Sequence, residues 1–525
     1  MSLDDQDIGT VELDALEVPG LAGAIQQKFI EAEEGRYSEE IRWLKAYKNY
    51  RGITDSTTSY SSSEKSKVFI KITKVKVLAA FGQIIDILFS NNKFPITVSS
   101  TPVPEGIAEF AHIPSPEEQQ LSQDIGNTSL HDLGYDGENM DDFLAGLKEK
   151  YLGSTLIEGK SVFDTAQISP SQEAARNLEK QIHDQLMNTN AMTVLRHSIF
   201  ECCLLGTGII KGPFNFTKTI HSWKKENDEK TYEPYEKSIP KIEAVSCWDF
   251  YPDPTAVSLD DAEYVIQRHR YNREQLRNLI NRPHFDKESI DEVLSETPNY
   301  EVKSFESEIH SKEDSHLFVD KRYEILEYWG MLDAALAREF GLDVPHSISD
   351  LDSVQINAWI VGNTVIRLVL NPFLPARIPF YAFPYELNPY QLFGIGVAEN
   401  MEDSQILMNG HMRMAIDNLA LAGNMVFDID ETQLVPGQSM SIYPGKIFRR
   451  QSGQTGTAVN GIKFPSTAPE NLQMFDTARR LADEQTGIPS VSHGQTGVTG
   501  TGRTAAGLSM LLNSAGLSIK TVIKN

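Results

Sequence analysis

Two glycine-rich stretches of the sequence resemble nucleotide-binding motifs, and both depart from the spacing that this chemistry needs. Residues 153–161 read Gly-Ser-Thr-Leu-Ile-Glu-Gly-Lys-Ser, with five residues between the glycines where a phosphate-binding loop has four. Residues 393–397 read Phe-Gly-Ile-Gly-Val, but Glu399 stands where a dinucleotide fingerprint has its third glycine. We interpret the first stretch as a chance match and the second as a tight turn into a helix.

Other residue types that carry chemistry do not form a catalytic pattern. The candidate metal ligands among the carboxylates are Asp253, Asp260, Asp261, Asp428 and Asp430, and their contexts favour turns and helix capping. The twelve histidines are scattered, and neither a zinc-protease motif nor a serine elbow occurs. Cys202, Cys203 and Cys247 are too few for a disulfide framework, so we expect reduced core thiols. The sequence therefore predicts no catalytic residue, metal site or cofactor, and a protein that is not an enzyme.

The charge of the chain is strongly acidic and unevenly distributed. A formal net charge of -25 argues against a conventional nucleic-acid binder. The segment from Gln485 to Asn525 nevertheless contains no Asp or Glu, and its first part is a Gly/Thr/Ser loop that carries Arg503. Carboxylates are thus absent where a polyanion could come close, which suggests a protein that lets nucleic acid slide past. The N-terminus lacks the features of a signal peptide and no apolar run is long enough for a membrane span, so we expect no membrane partner.

Periodicity of apolar residues predicts an α+β, helix-rich protein. We expect residues 1–18 to form a flexible arm and residues 102–172 to be an insertion with little core of its own. The predicted helices are 25–50 (broken near Gly35), 75–89, 172–205, 272–295 (broken at Arg282-Pro283) and 397–423. The predicted strands are 209–216, 239–245, 323–329, 355–370 and 378–383, the last three in a small separate module.

The helix predicted from Val397 to Gly423 is long for a globular protein, at roughly 40 Å. Its apolar stripe, which includes Met401, Met408 and Met412, does not cover a full face. Long helices of this kind pack against neighbours in the same chain or in another copy.

The order of several short segments resembles the portal proteins of tailed bacteriophages, of the short-tailed podovirus type. The segments are Trp248-Asp-Phe-Tyr-Pro-Asp-Pro254, Asp261–Ile266, Tyr323–Gly330, Phe393–Glu399 with Gln405 and Asn409, Pro444–Ile447, and the Gly/Thr loop with Thr504-Ala505. The resemblance covers most of the chain from about residue 20 onward.

The resemblance implies a ring, usually a dodecamer, at one capsid vertex of the virion. Such a ring is a channel through which double-stranded DNA is packaged and ejected. Its implied partners are the terminase large subunit, the major capsid protein and scaffold, and the tail adaptor, with assembly in the host cytoplasm. Two alternatives stay open, a nucleotide-dependent DNA-processing enzyme and another head–tail connector or adaptor protein.

The family's parts are placed on the chain by the same resemblance. The arm would be 1–18, the wing 19–270 (with the insertion 102–172) and 426–489, the stem 271–320 and 386–425, the clip 321–385 and the tunnel loop 490–503. Residues 504–525 would be the helix after that loop, with the crown absent or truncated.

Residues in three of these parts are predicted to carry the function. The predicted DNA-facing residues of the tunnel loop are Ser490, Ser492, His493, Gln495, Thr496, Thr499, Thr501 and Arg503. Those predicted for stem and subunit packing are Met401, Gln405, Met408, Asn409 and Met412, and those predicted for the clip are Tyr323, Glu327 and Trp329.

Overall fold

The computed structural model describes residues 20–53, 65–89, 94–100, 170–226, 229–309, 321–451, 453, 456–489, 519–520 and 522–523. These residues divide into two compact units. The larger unit takes residues up to 87, residues 193–214 and those from 242 onward, and the smaller takes 88–192 and 215–241. The mixed architecture confirms the predicted α+β class.

Eleven α-helices and twelve strands occur in the described part of the chain. The helices are α1 (Leu21–Arg51), α2 (Ile72–Phe89), α3 (Pro170–Asn188), α4 (Ala191–Leu205), α5 (Arg273–Asn278), α6 (Lys287–Ser295), α7 (Ser304–Ile309), α8 (Ala334–Glu339), α9 (Val397–Asn400), α10 (Glu402–Gly423) and α11 (Ala468–Thr486). The strands are β1 (Thr207–Ile220), β2 (Trp223–Glu226), β3 (Glu229–Tyr232), β4 (Tyr235–Val245), β5 (Phe250–Pro252), β6 (Tyr264–Asn272), β7 (Arg322–Asp333), β8 (Ser353–Val361), β9 (Thr364–Leu370), β10 (Phe380–Pro384), β11 (Val426–Ile429) and β12 (Val459–Ile462).

The largest sheet is a five-stranded antiparallel meander in the order β5-β6-β7-β8-β9. Helix α1 covers one face, where Ile25 and Phe29 lie in a core with Ile266 and Ile356. Helices α5 and α6 cover the other face, where their apolar side chains pack around Ile325. Because both faces are buried, the strands are rich in β-branched and aromatic residues rather than strictly alternating with polar ones. Smaller sheets have the orders β10-β1-β4, β2-β3 and β11-β12.

Of the strands predicted as a separate module, 323–329 and 355–370 belong to the five-stranded sheet, whereas 378–383 is β10 of the sheet β10-β1-β4. Strand β7 pairs with the whole length of β6, from Asn272 opposite Arg322 to Tyr264 opposite Gly330. The expected single strand 355–370 is a hairpin, β8 and β9, that turns at Gly362 with φ of 56°. Removing residues 321–385 would take three strands out of the sheet and expose both cores. The segment is therefore not an independent module.

Three predicted helices differ from the structure in their breaks. Helix α1 runs through Gly35, where a Cβ would lie 2.7 Å from the Cβ of Pro254, so the glycine serves close packing and not a break. The helix predicted for 172–205 is interrupted at Asn190, which has a φ of 54°. The long helix is interrupted at Met401, which separates α9 from α10. The predicted break at Arg282-Pro283 is confirmed, because α5 and α6 flank it.

The turn at Phe393–Gly396 is confirmed as a packing feature. The amide of Gly394 donates to the Thr207 hydroxyl at 2.8 Å. A Cβ at Gly394 would lie 2.7 Å from the carbonyl oxygen of Gly206, and one at Gly396 would lie 2.8 Å from its nitrogen. Two backbones thus approach closely at this point, which only glycine permits.

A buried arginine of α1 hydrogen-bonds to the turn that leads into the five-stranded sheet. The Arg36 guanidinium donates to the carbonyls of Cys247 (2.9 Å), Trp248 (3.1 Å) and Phe250 (2.5 Å) and pairs with Glu40 at 2.6 Å. Its carbon Cζ lies 3.6 Å from the ring centroid of Tyr251. Arg36 is 2% exposed, so water cannot replace these contacts.

Replacing Arg36 with methionine should destabilise the protein by about 3–5 kcal/mol, because three carbonyls and a carboxylate lose their buried partner. Thermal or denaturant unfolding measures the change. The control is Arg273→Met, at an exposed position, which should change stability by less than about 0.5 kcal/mol. Equal stability of the two variants would contradict this role of Arg36.

Candidate functional site

Helices α10 and α11 form an antiparallel pair, called the hairpin below. Its core joins Met401 and Met408 to Ala478 and Ala482, all at most 2% exposed. The alanines of α11 let the helix axes approach, and the methionines fill the space between them.

Polar contacts fix the register of the hairpin. Ser404 donates to Gln485 at 2.6 Å near one end, and His411 contacts Asn471 at 3.1 Å in the middle. At the other end the Thr467 amide donates to Asn418 at 2.8 Å. Between the helices lie residues 424–467, called the tip, which contain the two-stranded sheet β11-β12.

An extended segment, residues 65–71, runs along α10 and is called the strap. Four α10 side chains spaced by four residues hydrogen-bond to its backbone or to the residue that follows it. Asp417 accepts from the amides of Lys65 (3.0 Å) and Ser66 (2.9 Å). Arg413 donates to the carbonyl of Val68 at 3.1 Å, and Asn409 accepts from the amide of Ile70 at 3.0 Å. Gln405 donates to the Ile70 carbonyl at 2.6 Å and accepts from the Thr73 amide and hydroxyl at 3.1 and 2.9 Å.

The spacing of these four residues explains why they act together. Residues four apart lie on one face of a helix, so Gln405, Asn409, Arg413 and Asp417 form a polar stripe. An extended segment without sheet neighbours leaves backbone groups unpaired, and the stripe satisfies them. All four positions are fixed inside the chain by this contact.

The residues predicted for stem and subunit packing therefore lie mostly inside their own chain. Met401, Gln405, Met408 and Asn409 are at most 6% exposed, and Met412 is half-buried. Contact of these residues with another copy stays a prediction, and their burial within one chain argues against it.

One side of α10 is apolar and exposed, because Ile406, Leu407, Met414 and Leu421 lie within about 100° of one another around the helix. We call it the exposed face of the hairpin. Other exposed apolar side chains of the two helices are Leu419, Leu472, Met474 and Leu481. Ile406 and Leu421 are 58% and 56% exposed. Sequence reasoning missed most of this face, although the spacing of 406, 414 and 421 is a helical signal that could have identified it.

The end of α11 is held by a buried lysine. Helix α11 is followed by Gly487 at φ 63°, and the Lys76 ammonium, which pairs with Asp483, donates to the carbonyl of Ile488. Burial lowers the pKa of Lys76, partly offset by the charge and hydrogen bond of Asp483. The residues predicted for the tunnel loop, from Ser490 to Arg503, follow directly and lie outside the described residues, as does the glycine-rich stretch 153–161.

The three residues predicted for the clip are buried in the five-stranded sheet. Tyr323, Glu327 and Trp329 are 2–3% exposed. Glu327 pairs with Lys211 and accepts from His269 and the Trp329 indole, both at 2.7 Å. Burial alone would raise the pKa of Glu327, but the charge of Lys211 and the hydrogen bond from His269 lower it well below its usual range. Because these side chains contact the interior of the chain, they cannot themselves form a docking surface.

The tip differs in charge from the rest of the chain. The tip has Asp428, Asp430 and Glu431 near its start, but residues 432–469 contain no Asp or Glu and include Lys446, Arg449, Arg450 and Lys463. Apolar side chains are also exposed there, including Tyr443 (58%) and Ile447 (79%). The tip therefore combines positive charge with exposed apolar surface, which suits an interaction with another macromolecule.

The predicted capping aspartates behave as expected where the structure describes them. Asp253 accepts from the amides of Thr255 and Glu263, and Asp430 accepts from the amide of Thr432. Within the described ranges no group of three or more His, Cys, Asp or Glu could hold a metal ion. In the same ranges no helix has the length and hydropathy of a membrane span.

Replacing Asp417 with alanine should free the start of the strap. The amides of Lys65 and Ser66 lose a charged acceptor, so their hydrogen exchange should accelerate about ten-fold or more. The amide of Ile70, bonded to Asn409, is an internal reference that should change less. Asp476→Ala, at an exposed position on α11, is the control. Unchanged exchange at Lys65 and Ser66 would show that the strap is held by other contacts.

One comparison with known proteins bears on the whole arrangement. The family model described as Phage SU10 portal protein matches residues 166–525, more than half of the chain. The match includes the five-stranded sheet, the hairpin and the tip. Portal proteins are structural proteins of the phage head, where they form a ring at a capsid vertex. The chain belongs to the phage SU10 portal protein family.

Proposed function

We propose that copies of this chain assemble into the closed ring through which double-stranded DNA is packaged into the capsid and later ejected. The observation that carries the proposal is the exposed apolar face of the hairpin. Each large aliphatic side chain that another copy buries there contributes about 1.5–3 kcal/mol. A face of this kind on a long helical hairpin fits a head-to-tail contact that repeats around a ring. The resemblance to portal proteins implies twelve copies.

The hairpin then takes the place of the stem, and the five-stranded sheet belongs to the wing. This changes the assignment of residues 426–489, which the resemblance placed in the wing, and of residues 271–385, which it placed in the stem and the clip. Their helices α5, α6 and α7 are short, and their strands lie inside a sheet that is covered on both faces. The burial of Tyr323, Glu327 and Trp329 supports the change.

The tip takes the place of the clip in this proposal. A docking surface needs exposed groups, and the tip exposes Arg449 and Arg450 together with Tyr443 and Ile447. We assign to it the successive contacts with the terminase large subunit and with the tail adaptor. Contacts with the major capsid protein and scaffold are assigned to the wing by the family resemblance alone, as are assembly in the host cytoplasm and final residence in the virion.

The ring itself has no catalytic role in this proposal, and a separate ATPase drives the DNA. The contacts at Phe393–Gly396 support this, because Gly206 occupies the space where a bound pyrophosphate would need to approach the turn. No observation favours the alternative of a nucleotide-dependent enzyme.

Placing charge on the exposed face of the hairpin should prevent assembly. In the double variant Ile406→Glu and Leu421→Glu, two carboxylates would have to be buried between copies, at a cost of several kcal/mol. Native mass spectrometry and electron microscopy should find folded monomers instead of rings. Leu351→Glu with Leu374→Glu is the control, since these residues are 95% and 97% exposed. Rings formed by the hairpin variant would rule out this face as the subunit contact.

The loop 490–503 is proposed to project into the channel and to contact DNA without reading its sequence. Its hydroxyl groups can make weak contacts with phosphates, and Arg503 can make a charged one. Arg503→Glu should reduce DNA retention after packaging more than it affects ring assembly, which quantifying the DNA in purified particles can measure. Arg322→Glu, at an exposed position on β7, is the control. Failed assembly with normal DNA retention would instead identify the loop as a subunit contact.

A further inference from the structure

The strap and the first turn of α2 carry a row of lysines. Lys65, Lys67, Lys71 and Lys74 are all exposed. From residue 65 to residue 85 the sequence contains no Asp or Glu. None of the four ammonium groups lies within ion-pair distance of a carboxylate in the part of the chain that the structure describes. In a chain with 73 acidic and 48 basic residues, such a row is unusual.

The fold does not need these four charges. The strap is held through its backbone by the polar stripe of α10, and Lys65 takes part only through its amide. The Lys74 ammonium lies 6.0 Å from the ring centroid of Tyr50, a weak contact at an exposed site. Lys76, in the next turn, is different because it is buried and paired with Asp483.

Several lysines elsewhere in the described part of the chain are paired with carboxylates, although some exposed lysines are not. Lys28 pairs with Glu263 at 2.6 Å, Lys48 with Glu308 at 2.5 Å, and Lys303 with Glu33 at 2.8 Å. Within the residues that the structure describes, the row from Lys65 to Lys74 thus has no carboxylate partner. Its charges are available there for an anion from outside the chain.

The shape of the row suits a linear polyanion. An extended segment rises about 3.3 Å per residue, so Lys65 to Lys71 span about 20 Å and the first two lysines lie about 7 Å apart. Duplex DNA carries one negative charge per about 1.7 Å of its axis, so a row of this length can meet several phosphates. Phosphate contacts of this kind position the duplex and do not read its bases.

The residue type suits phosphate contacts that have no fixed geometry. Some ion pairs between elements of this chain are formed by arginine, whose planar guanidinium binds both carboxylate oxygens, as Arg42 does with Glu399 at 3.0 and 2.7 Å. The row from 65 to 76 contains only lysines, which act as point charges without a preferred direction. Such contacts suit a duplex that moves along the surface.

We propose that Lys65, Lys67, Lys71 and Lys74 form a binding site for the phosphate backbone of duplex DNA. The proposal rests on the proposed function, because DNA comes close to the strap only if copies of the chain form the ring through which DNA passes. The strap holds the row in an extended line along α10. Each ammonium group that neutralises a phosphate releases a counterion from the DNA. Binding at this site is independent of sequence and weakens steeply with salt.

The test compares salt dependence in two variants of equal charge. In the first, all four lysines of the row are changed to glutamine. In the second, the matched control, four other exposed lysines are changed to glutamine, namely Lys180, Lys237, Lys287 and Lys321. The affinity of the full-length protein for a duplex of arbitrary sequence is measured over a range of salt concentrations. Ring formation is scored separately by electron microscopy.

The slope of log affinity against log salt should become shallower by about 0.9 for each phosphate that the first variant no longer neutralises, and should stay unchanged in the control. Equal slopes in the wild type and the first variant would overturn the proposal, as would a wild type that does not bind the duplex at low salt. Absence of rings in the first variant with an unchanged slope would also overturn it, because the row would then contact a second copy. A wild type that forms no ring would instead contradict the proposed function.

Discussion

The polar stripe of α10 is the contact on which the rest of the arrangement depends. Gln405, Asn409, Arg413 and Asp417 satisfy the backbone of an extended segment that has no sheet to join. One face of the helix contacts the strap and the methionine face packs on α11, so the remaining face stays exposed among the residues that the structure describes. That face carries Ile406, Leu407, Met414 and Leu421. Its exposure in a single chain is the physical reason to expect a second copy beside it.

The five-stranded sheet and the hairpin differ in how much of their surface is exposed. The five-stranded sheet is covered on both faces and contains buried ion pairs, such as Lys211 with Glu327 and Arg268 with Glu306. Buried pairs of this kind cost too much to break, so they give a rigid body and leave little surface for exchange of partners. The hairpin, by contrast, keeps its apolar face and its tip exposed. Rigid support and exposed contact surface are thus carried by different segments of the chain.

Local patterns in the sequence were enough to predict the element types but not their partners. The strands at 323–329 and 378–383, the helix at 75–89 and the tight turn at Phe393–Gly396 follow from periodicity and glycine chemistry, and the structure contains them. The pairing of β7 with β6 could not be predicted, because 49 residues separate Asn272 from its partner Arg322 and no local signal marks the register. Periodicity predicted an apolar stripe that includes Met401 and Met408, but it does not say whether the same chain or another copy covers that stripe. The polar stripe was also missed, since its partner is a backbone and leaves no pattern in the sequence.

The strap, most of the tip and the segment that begins in the last turn of α11 share a lack of carboxylates. Several segments of this acidic chain contain no Asp or Glu, among them residues 202–225 and 353–385. Three others, residues 65–85, 432–469 and 485–525, adjoin the hairpin. The first includes the strap, which lies along α10, the second covers most of the tip between α10 and α11, and the third begins in the last turn of α11. All three are therefore attached to the same hairpin, although they are far apart in sequence. A surplus of acidic residues elsewhere keeps a polyanion at a distance, since like charges repel. The two helices of the hairpin carry carboxylates themselves, such as Asp403 and Asp476, so it is the segments attached to the helices that a phosphate backbone can approach without repulsion.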